Sequence, residues 1–241
     1  LNVVKPYQDS VKGKKEQVEE MFDSISFRYD LLNKLLSVGI DRLWRKRSIA
    51  LLKKASPLQI LDIATGTGDF AIQAMELNPD KITGIDISEG MLEIGRQKIK
   101  KLGLEQKIVM LKGDSENLQF NDNTFDAVTV AFGVRNFENL GKGLKEMHRV
   151  LKPGGKAVIL EFSNPSAFPV KQLFGFYFRF ILPFWGRLIS GNNKAYTYLP
   201  ESVKAFPDKG DFTAELDRAG FKQTEFKPLT FGVCSIYTGT K

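Results

Sequence analysis

The sequence predicts a doubly wound α/β fold, a mostly parallel sheet with helices on both faces, and three observations carry that prediction. From Pro57 onward, short apolar runs alternate with helix-spaced patterns. The first run, Ile60 to Ile63, passes through Gly66-Thr67-Gly68 straight into a helical pattern from Asp69 to Leu77. Two strand-like runs then close the chain, near Gln223–Leu229 and Gly232–Gly239, where it turns antiparallel. The total is seven strands with one antiparallel strand near the C-terminus.

Before the first strand the chain has helical periodicity only. Val18, Met21, Phe22 and Ile25 recur at helix spacing, followed by Leu31, Leu32, Leu35 and Leu36. This predicts an N-terminal helical extension over residues 1–55, broken at Ser56-Pro57 and followed by the main domain over 56–241. Within that domain Lys81–Ile87 reads as a second strand, Met91–Leu102 as its helix and Lys107–Lys112 as a third strand. Phe125–Ala131 is a fourth. Leu140, Leu144, Met147 and Leu151 mark a helix expected to stop at Lys152-Pro-Gly-Gly155, with a fifth strand over Lys156–Glu161. The alternation lapses from Asn164 to about Asp211, a 164–211 insertion with the aromatic run Leu173 to Ile189. Arg179, Pro183 and Arg187 interrupt that run, and a membrane-spanning helix needs about twenty mostly apolar residues. Two readings stay open: a lid or membrane-facing flap, or an ordinary buried insertion. A helix over Phe212–Ala219, closed by Gly220, precedes the last strands.

Composition narrows the chemistry. With 241 residues, 42% of them apolar, the chain is long enough for one generous domain with an appendage. Cys234 is the single cysteine and Leu1-Asn-Val-Val-Lys lacks an apolar leader core, so the expected compartment is the cytoplasm. With His148 the single histidine, a Cys/His zinc site cannot be assembled, and no metal site is expected. His148 itself reads as a packed surface residue. The net charge of +7 suits anionic partners without choosing among lipid, nucleic acid and metabolite. Part of it lies in Arg42-Leu-Trp-Arg-Lys-Arg47 and Lys53-Lys54, an amphipathic pattern with a basic face.

The glycine turn is the centre of the functional reading. Glycines there let the backbone bend sharply and admit a ligand against the main chain, with helix N–H groups facing its negative groups. Asp86 ends the second strand about twenty residues on, where a carboxylate accepts both ribose hydroxyls of a nucleoside. Asp114-Ser115 ends the third strand, within reach of an exocyclic amine. Asp62, inside the first strand, either orients the turn or meets a cationic amino group. Gly66-x-Gly68-x-x-Ala71 also fits a dinucleotide fingerprint, but Tyr237-x-x-x-Lys241, the one match to a hydride-transfer pair, lies on a strand pattern. Ala64, where a further glycine would be usual, and the antiparallel end favour an S-adenosylmethionine fold.

At this point the motif Asp62-Ile-Ala-Thr-Gly-Thr-Gly68, with Asp86 and Asp114, resembles the Rossmann-like class I S-adenosylmethionine-dependent methyltransferases. Four further stretches narrow the resemblance: Arg28-Tyr-Asp-Leu-Leu-Asn33 with Ser37 and Trp44, Ala131-Phe-Gly-Val-Arg-Asn136, Arg149 to Ser163, and Tyr196-Thr-Tyr-Leu-Pro-Glu-Ser202. Together they resemble the ubiquinone/menaquinone biosynthesis C-methyltransferase family from about Val18 to Lys241. The resemblance implies S-adenosylmethionine as cofactor, held at Ala64, Gly66, Thr67 and Gly68 and by Asp86, Asp114, Ser115 and Ala131. It implies methyl transfer to a ring carbon of a polyprenylated quinol, demethylmenaquinol or its ubiquinone-pathway counterpart, with Arg135, Asn136 and Tyr29 as catalytic candidates. The isoprenoid tail implies transient contact with a membrane surface through Arg42–Arg47 and Phe174–Trp185. No nucleic-acid partner is expected, and the oligomeric state is open, a homodimer included. The rivals are another small lipid or phenolic acceptor, or a non-catalytic RNA-binding protein on the same fold, against which stands the lack of a stacked-aromatic strand platform. Two departures matter. Leucine replaces the usual methionine at Leu32, which conserves volume, and aspartate replaces histidine at Asp41, so no imidazole role carries over. Ser115 and Ala131 also differ from the usual alanine and serine, changes that backbone contacts survive.

Overall fold

The computed structural model describes residues 4–7, 10–37, 39–181 and 193–241; the side chains of residues 32–36 and 193–197 are outside that description. Strands β1 (Gln59–Ile63), β2 (Lys81–Asp86), β3 (Ile108–Lys112), β4 (Phe125–Ala131), β5 (Leu151–Phe162), β6 (Lys222–Leu229) and β7 (Cys234–Thr240) form one sheet. Their spatial order is β3-β2-β1-β4-β5-β7-β6. The first five run parallel, and β7 alone is reversed, pairing antiparallel with β5 and with β6. The strand order therefore reverses between β1 and β4, and ligands of such sheets bind outside the carboxyl ends at that point.

The helices follow from their patterns. On one face α5 (Leu140–Val150) buries Leu144, Met147 and Val150 against Leu61, Val128 and Ile159, together with Phe212 and Leu216 of α8 (Gly210–Arg218). Burial of each such side chain contributes about 1.5–3 kcal/mol, which is why a 3.6-residue period survives in an otherwise charged helix. On the other face α2 (Ile40–Ala50), α3 (Asp69–Ala74) and α4 (Glu89–Lys101) pack Trp44, Ile49, Phe70, Leu92 and Ile99 onto Ile60, Ile82 and Val158. Asn139 caps α5 by accepting from the Lys142 N–H (3.0 Å), and Ser88 caps α4 through the Met91 N–H (3.1 Å).

The N-terminal segment is a long helix, α1 (Lys14–Ser37), separated from α2 at Gly39. It lies across the carboxyl ends of the strands, fastened by polar contacts along its length. Lys15 meets Asp114 (2.7 Å), Glu19 meets Lys112 (2.7 Å), and Asp23 accepts from the Ser88 hydroxyl (2.6 Å) and the Gly90 N–H (3.0 Å). Farther along, Asp30 accepts from the Thr67 hydroxyl (2.6 Å) and meets Lys98 (2.7 Å).

Two elements differ from the sequence expectation. The helix before β5 ends at Val150, not in the Pro153-Gly154-Gly155 turn. Leu151 already pairs with Phe125, and the ladder resumes at Lys156 opposite Ala127, so the proline and glycines form an irregularity inside the strand. Part of the irregular stretch after β5 is regular: α6 (Val170–Phe176) runs on into a wider turn over Tyr177–Ile181, and α7 (Asn193–Ala205) follows. The rest of the aromatic run, with Pro183, Trp185 and Arg187, lies outside the described residues, as do the side chains of Leu32 and Tyr196.

Candidate active site

The bend after β1 is shaped by backbone conformations that side chains disfavour. Gly66 and Gly68 take φ of 56° and 81°, and Ala64 takes 52°. The space beside Ala64 exists because residue 133 is glycine: a Cβ there would come within 2.5 Å of the Ala64 Cβ. Asp62 is buried beneath the bend, where its carboxylate accepts from the hydroxyls of Thr65 (2.6 Å) and Thr129 (2.7 Å). It orients the turn, and burial pushes its carboxyl up to about 6.

Asp86 closes the floor of the cleft in front of that bend. Its Oδ2 accepts from the Gly66 N–H (2.8 Å) and its Oδ1 from the Ser88 N–H (2.9 Å). Desolvation pushes its carboxyl up to about 6 despite these bonds, and among the described residues no cation pairs with it. Beside it the Asp114 Oδ2 is held by Lys15, and Ser115, Ala131 and Asn136 complete a narrow space of about 70 Å³ with Ile87 and Met91 as apolar walls. An ionised carboxylate has acceptors only, so a desolvated one without a cation suits a ligand that brings hydroxyl donors. The chemistry of this set suits an adenosyl group: Asp86 could take the ribose, Ile87 and Met91 a flat ring, and Asp114, whose Oδ1 also accepts from the Glu116 N–H (2.9 Å), could take an exocyclic amine on a remaining lone pair.

Of the eight residues expected at the cofactor, six line this cleft: Ala64, Gly66, Asp86, Asp114, Ser115 and Ala131. Thr67 and Gly68 do not. The Thr67 hydroxyl is turned to Asp30 and Lys98, and Gly68 faces Met110, whose sulfur lies 3.5 Å from the position of a Cβ. They shape the bend from behind.

A second cavity of about 380 Å³ adjoins the first, with mostly apolar walls from Met21 and Ile25 of α1, Trp44 of α2, Phe162 of β5, and Leu173 and Phe174 of α6. Phe22, Tyr29 and Phe132 line both spaces. Tyr29 therefore stands at their junction, Arg135 faces the apolar cavity and Asn136 the cleft.

The Arg135–Asn136 turn is held from several sides. Arg135 donates from Nη1 to Glu161 Oε1 (2.8 Å) and to the Phe132 carbonyl, and its guanidinium lies 5.6 Å from the Phe162 ring centroid. Its side chain is 8% exposed and that of Glu161 0%, so the two charges neutralise each other out of water. Burial pushes the Glu161 carboxyl up, and Arg135 opposes that shift. The Arg135 Nε is buried and has no hydrogen-bond partner among the described residues. Asn136 accepts at Oδ1 from the Tyr198 hydroxyl (3.1 Å). Lys14, at the start of α1, donates to the Arg135 and Phe137 carbonyls (2.9 Å each), and burial pushes its ammonium down to about 8.

Glu161, Lys14 and Tyr198 were not singled out from the sequence. For Glu161 a signal existed, an acid at the carboxyl end of an otherwise apolar strand. Tyr198 stands in the Tyr196–Ser202 stretch that carries the resemblance, and Lys14 had no signal, because its role depends on which remote segment it meets. The basic face also needs correction: Arg42, Lys46 and Arg47 are exposed, whereas Arg45 turns inward to Asp41 and Asp69. Likewise Phe178 is buried against Phe162 and Phe174, while Leu173, Phe176 and Phe180 are more than half exposed. His148 packs edge-on against Phe221 and lines neither cavity.

The model of the ubiE/COQ5 methyltransferase family matches residues 10–241. A demethylmenaquinone methyltransferase of Bacteroides fragilis is 54% identical over 239 residues, 99% of this chain and 97% of that protein. A ubiquinone/menaquinone biosynthesis C-methyltransferase UbiE of Geotalea daltonii is 47% identical over 95% of this chain and 97% of its own. Among solved structures, a SAM dependent methyltransferase from Aquifex aeolicus aligns with a TM-score of 0.62 over 88% of this chain and 97% of its own, at 20% identity, a likeness of fold.

Proposed function

The chain belongs to the ubiE/COQ5 methyltransferase family, and on that premise we propose the reaction that its two joined cavities serve. It is a C-methyltransferase that converts demethylmenaquinol to menaquinol with S-adenosylmethionine. The observation that carries this reading is that Phe22, Tyr29 and Phe132 line both the cleft that holds Asp86 and Asp114, suited to an adenosyl group, and the apolar space beside it, suited to a prenylated ring. When bound, S-adenosylmethionine supplies an electrophilic methyl group on a positively charged sulfur. A ring carbon attacks such a group only when the ring is electron-rich, which is why the substrate is the reduced quinol.

The side chains of this protein then have three tasks. Arg135, anchored by Glu161, stabilises negative charge on a quinol oxygen, and its burial strengthens that interaction. Asn136, steadied by Tyr198, and Tyr29 at the junction orient the ring toward the cleft. The third task, exclusion of water, falls to α1 and to the 164–211 lid, whose Leu173, Phe174 and Tyr177 line the cavity.

The outer surface of that lid is a membrane-facing flap. Phe176 and Phe180 are exposed there, and Arg42, Lys46 and Arg47 supply cations for anionic headgroups. No helix among the described residues is long and apolar enough to cross a membrane. In a flotation assay with anionic liposomes, the Phe176→Ser/Phe180→Ser variant should partition less than wild type. Equal partitioning would remove the flap.

The reaction is tested with labelled cofactor, reduced demethylmenaquinone and its ubiquinone-pathway counterpart, and product mass spectrometry. Wild type should add one labelled methyl to the demethylmenaquinone ring, and Arg135→Ala should lose most of that activity. No labelled product from folded protein would contradict the reaction.

A further inference from the structure

Asp41 is the one acidic side chain among the described residues that line the apolar cavity, and the reaction as stated gives it no task. Its side chain is 13% exposed, next to Trp44. The Oδ1 accepts from the Ser37 hydroxyl at 2.6 Å, and Oδ2 pairs with Arg45. An acid in the first turn of a helix, paired four residues on, is common helix chemistry. Neither feature calls for a place in the wall of an apolar cavity, where desolvation makes the charge costly. A carboxylate offers about four lone-pair positions and no donor. Ser37 and Arg45 use part of that capacity, which leaves acceptor positions for a ligand.

A hydroquinone and a quinone of the same skeleton are nearly alike in shape and apolar area. They differ at two oxygens: the reduced ring carries O–H donors there, and the oxidised ring carries carbonyl acceptors only. An apolar wall cannot tell them apart, whereas an acceptor-only group can. Arg45 lines the same cavity, and its Nη2 is committed to Asp41 and to Asp69 (3.5 Å), so that nitrogen is not offered to a quinone carbonyl.

We propose that Asp41 selects the oxidation state of the substrate, accepting a hydrogen bond from one hydroxyl of the quinol and repelling the carbonyl of the quinone, while Arg135 attends to the other oxygen. The inference rests on the reaction proposed above, in which the reduced ring alone is the nucleophile. Its consequence is kinetic: oxidised quinone does not clog a cavity that would otherwise bind it as well as the substrate.

The test is equilibrium dialysis with a short-chain 2-prenyl-1,4-naphthoquinone, once oxidised and once held reduced without oxygen, in the presence of S-adenosylhomocysteine. Wild type should bind the reduced form roughly tenfold or more tighter, the worth of one hydrogen bond to a charged group. Asp41→Asn, whose amide both donates and accepts, should bring the two affinities within about threefold, largely by tighter binding of the quinone. Asp41→Glu should keep the preference. Equal binding of both forms by wild type overturns the proposal, as does an unchanged ratio in Asp41→Asn with wild-type melting temperature. Methyl transfer measured in parallel keeps the two readings apart: a protein that prefers the quinol but methylates nothing retires the reaction and leaves the selection by Asp41 standing.

Discussion

Helix α1 contributes to both spaces, Lys15 and Val18 to the cleft and Phe22 and Tyr29 to each; beyond it the cleft takes its floor and walls from the ends of neighbouring strands and the turns that follow them, whereas the apolar cavity draws on α2, β5, α6 and the turn near Val233. The cleft is shaped by backbone: positive φ at Ala64 and Gly66, and amides bonded to Asp86. The cavity is shaped by side chains from segments remote in sequence. It follows that the first should respond sharply to single polar changes with little effect on its neighbour, and that the second should absorb apolar changes but not the loss of its few charges.

The largest effect expected is at Asp86. Asp86→Ala removes the acceptor for two hydroxyls, so calorimetry should find S-adenosylmethionine binding weakened by about a hundredfold or more, while quinol binding by dialysis stays within about threefold. A comparable loss of quinol binding would break the separation of the two regions.

Next comes the buried pair. Arg135→Ala leaves Glu161 without its cation at zero exposure, and the cost expected is about 3–5 kcal/mol of stability together with most of the activity. Replacing both, Arg135→Met with Glu161→Leu, should recover much of the melting temperature and none of the methyl transfer. Recovered activity would show that the arginine is scaffolding.

The cleft also has a pH signature. Asp62 and Asp86 are both pushed up to about 6 from an ordinary aspartate value near 3.9. Between these values the folded chain binds more protons than the unfolded one. Stability of the free protein should therefore fall as pH rises from about 4 to about 6, by up to about 3 kcal/mol for each group, and level off above. Cofactor affinity should move the opposite way, rising through pH 6 as Asp86 ionises and becomes a full acceptor. Thermal melts and calorimetry across pH 4.5–7.5 check both trends, and Asp86→Asn should flatten part of each.

The smallest effect is at Tyr198→Phe, which removes one hydrogen bond to Asn136. A loss of about fivefold in kcat/KM, near 1 kcal/mol, is expected with cofactor binding unchanged.

The same contrast explains what could be read from the chain. The mostly parallel sheet, the bend and six of the eight cofactor candidates, those that line the cleft, were legible because a strand, a glycine turn and a helix are contiguous, and Asp86 and Asp114 end the next two strands. Thr67 and Gly68 belong to the bend but face away, since side-chain direction within a turn depends on what packs behind it, here Asp30 and Met110. Periodicity marked α1 and α2 as helices without indicating that Arg45 folds inward while Arg42 and Arg47 face water. Phe178 and Phe180 were indistinguishable as letters, and one is buried while the other is exposed. Lys14 and Glu161 acquire their roles only when α1 and β5 converge on the Arg135–Asn136 turn.

In the proposed reaction the two cavities form one active site, with Tyr29 and Phe132 shared between them. A crystal structure of the protein with S-adenosylhomocysteine and a short-chain demethylmenaquinol tests it most directly. The ribose is expected on Asp86 and the quinol ring between Arg135 and Asp41, its unmethylated carbon facing the cofactor sulfur past Tyr29 and Phe132. A quinol ring bound elsewhere, or an adenosyl group away from Asp86, would contradict it.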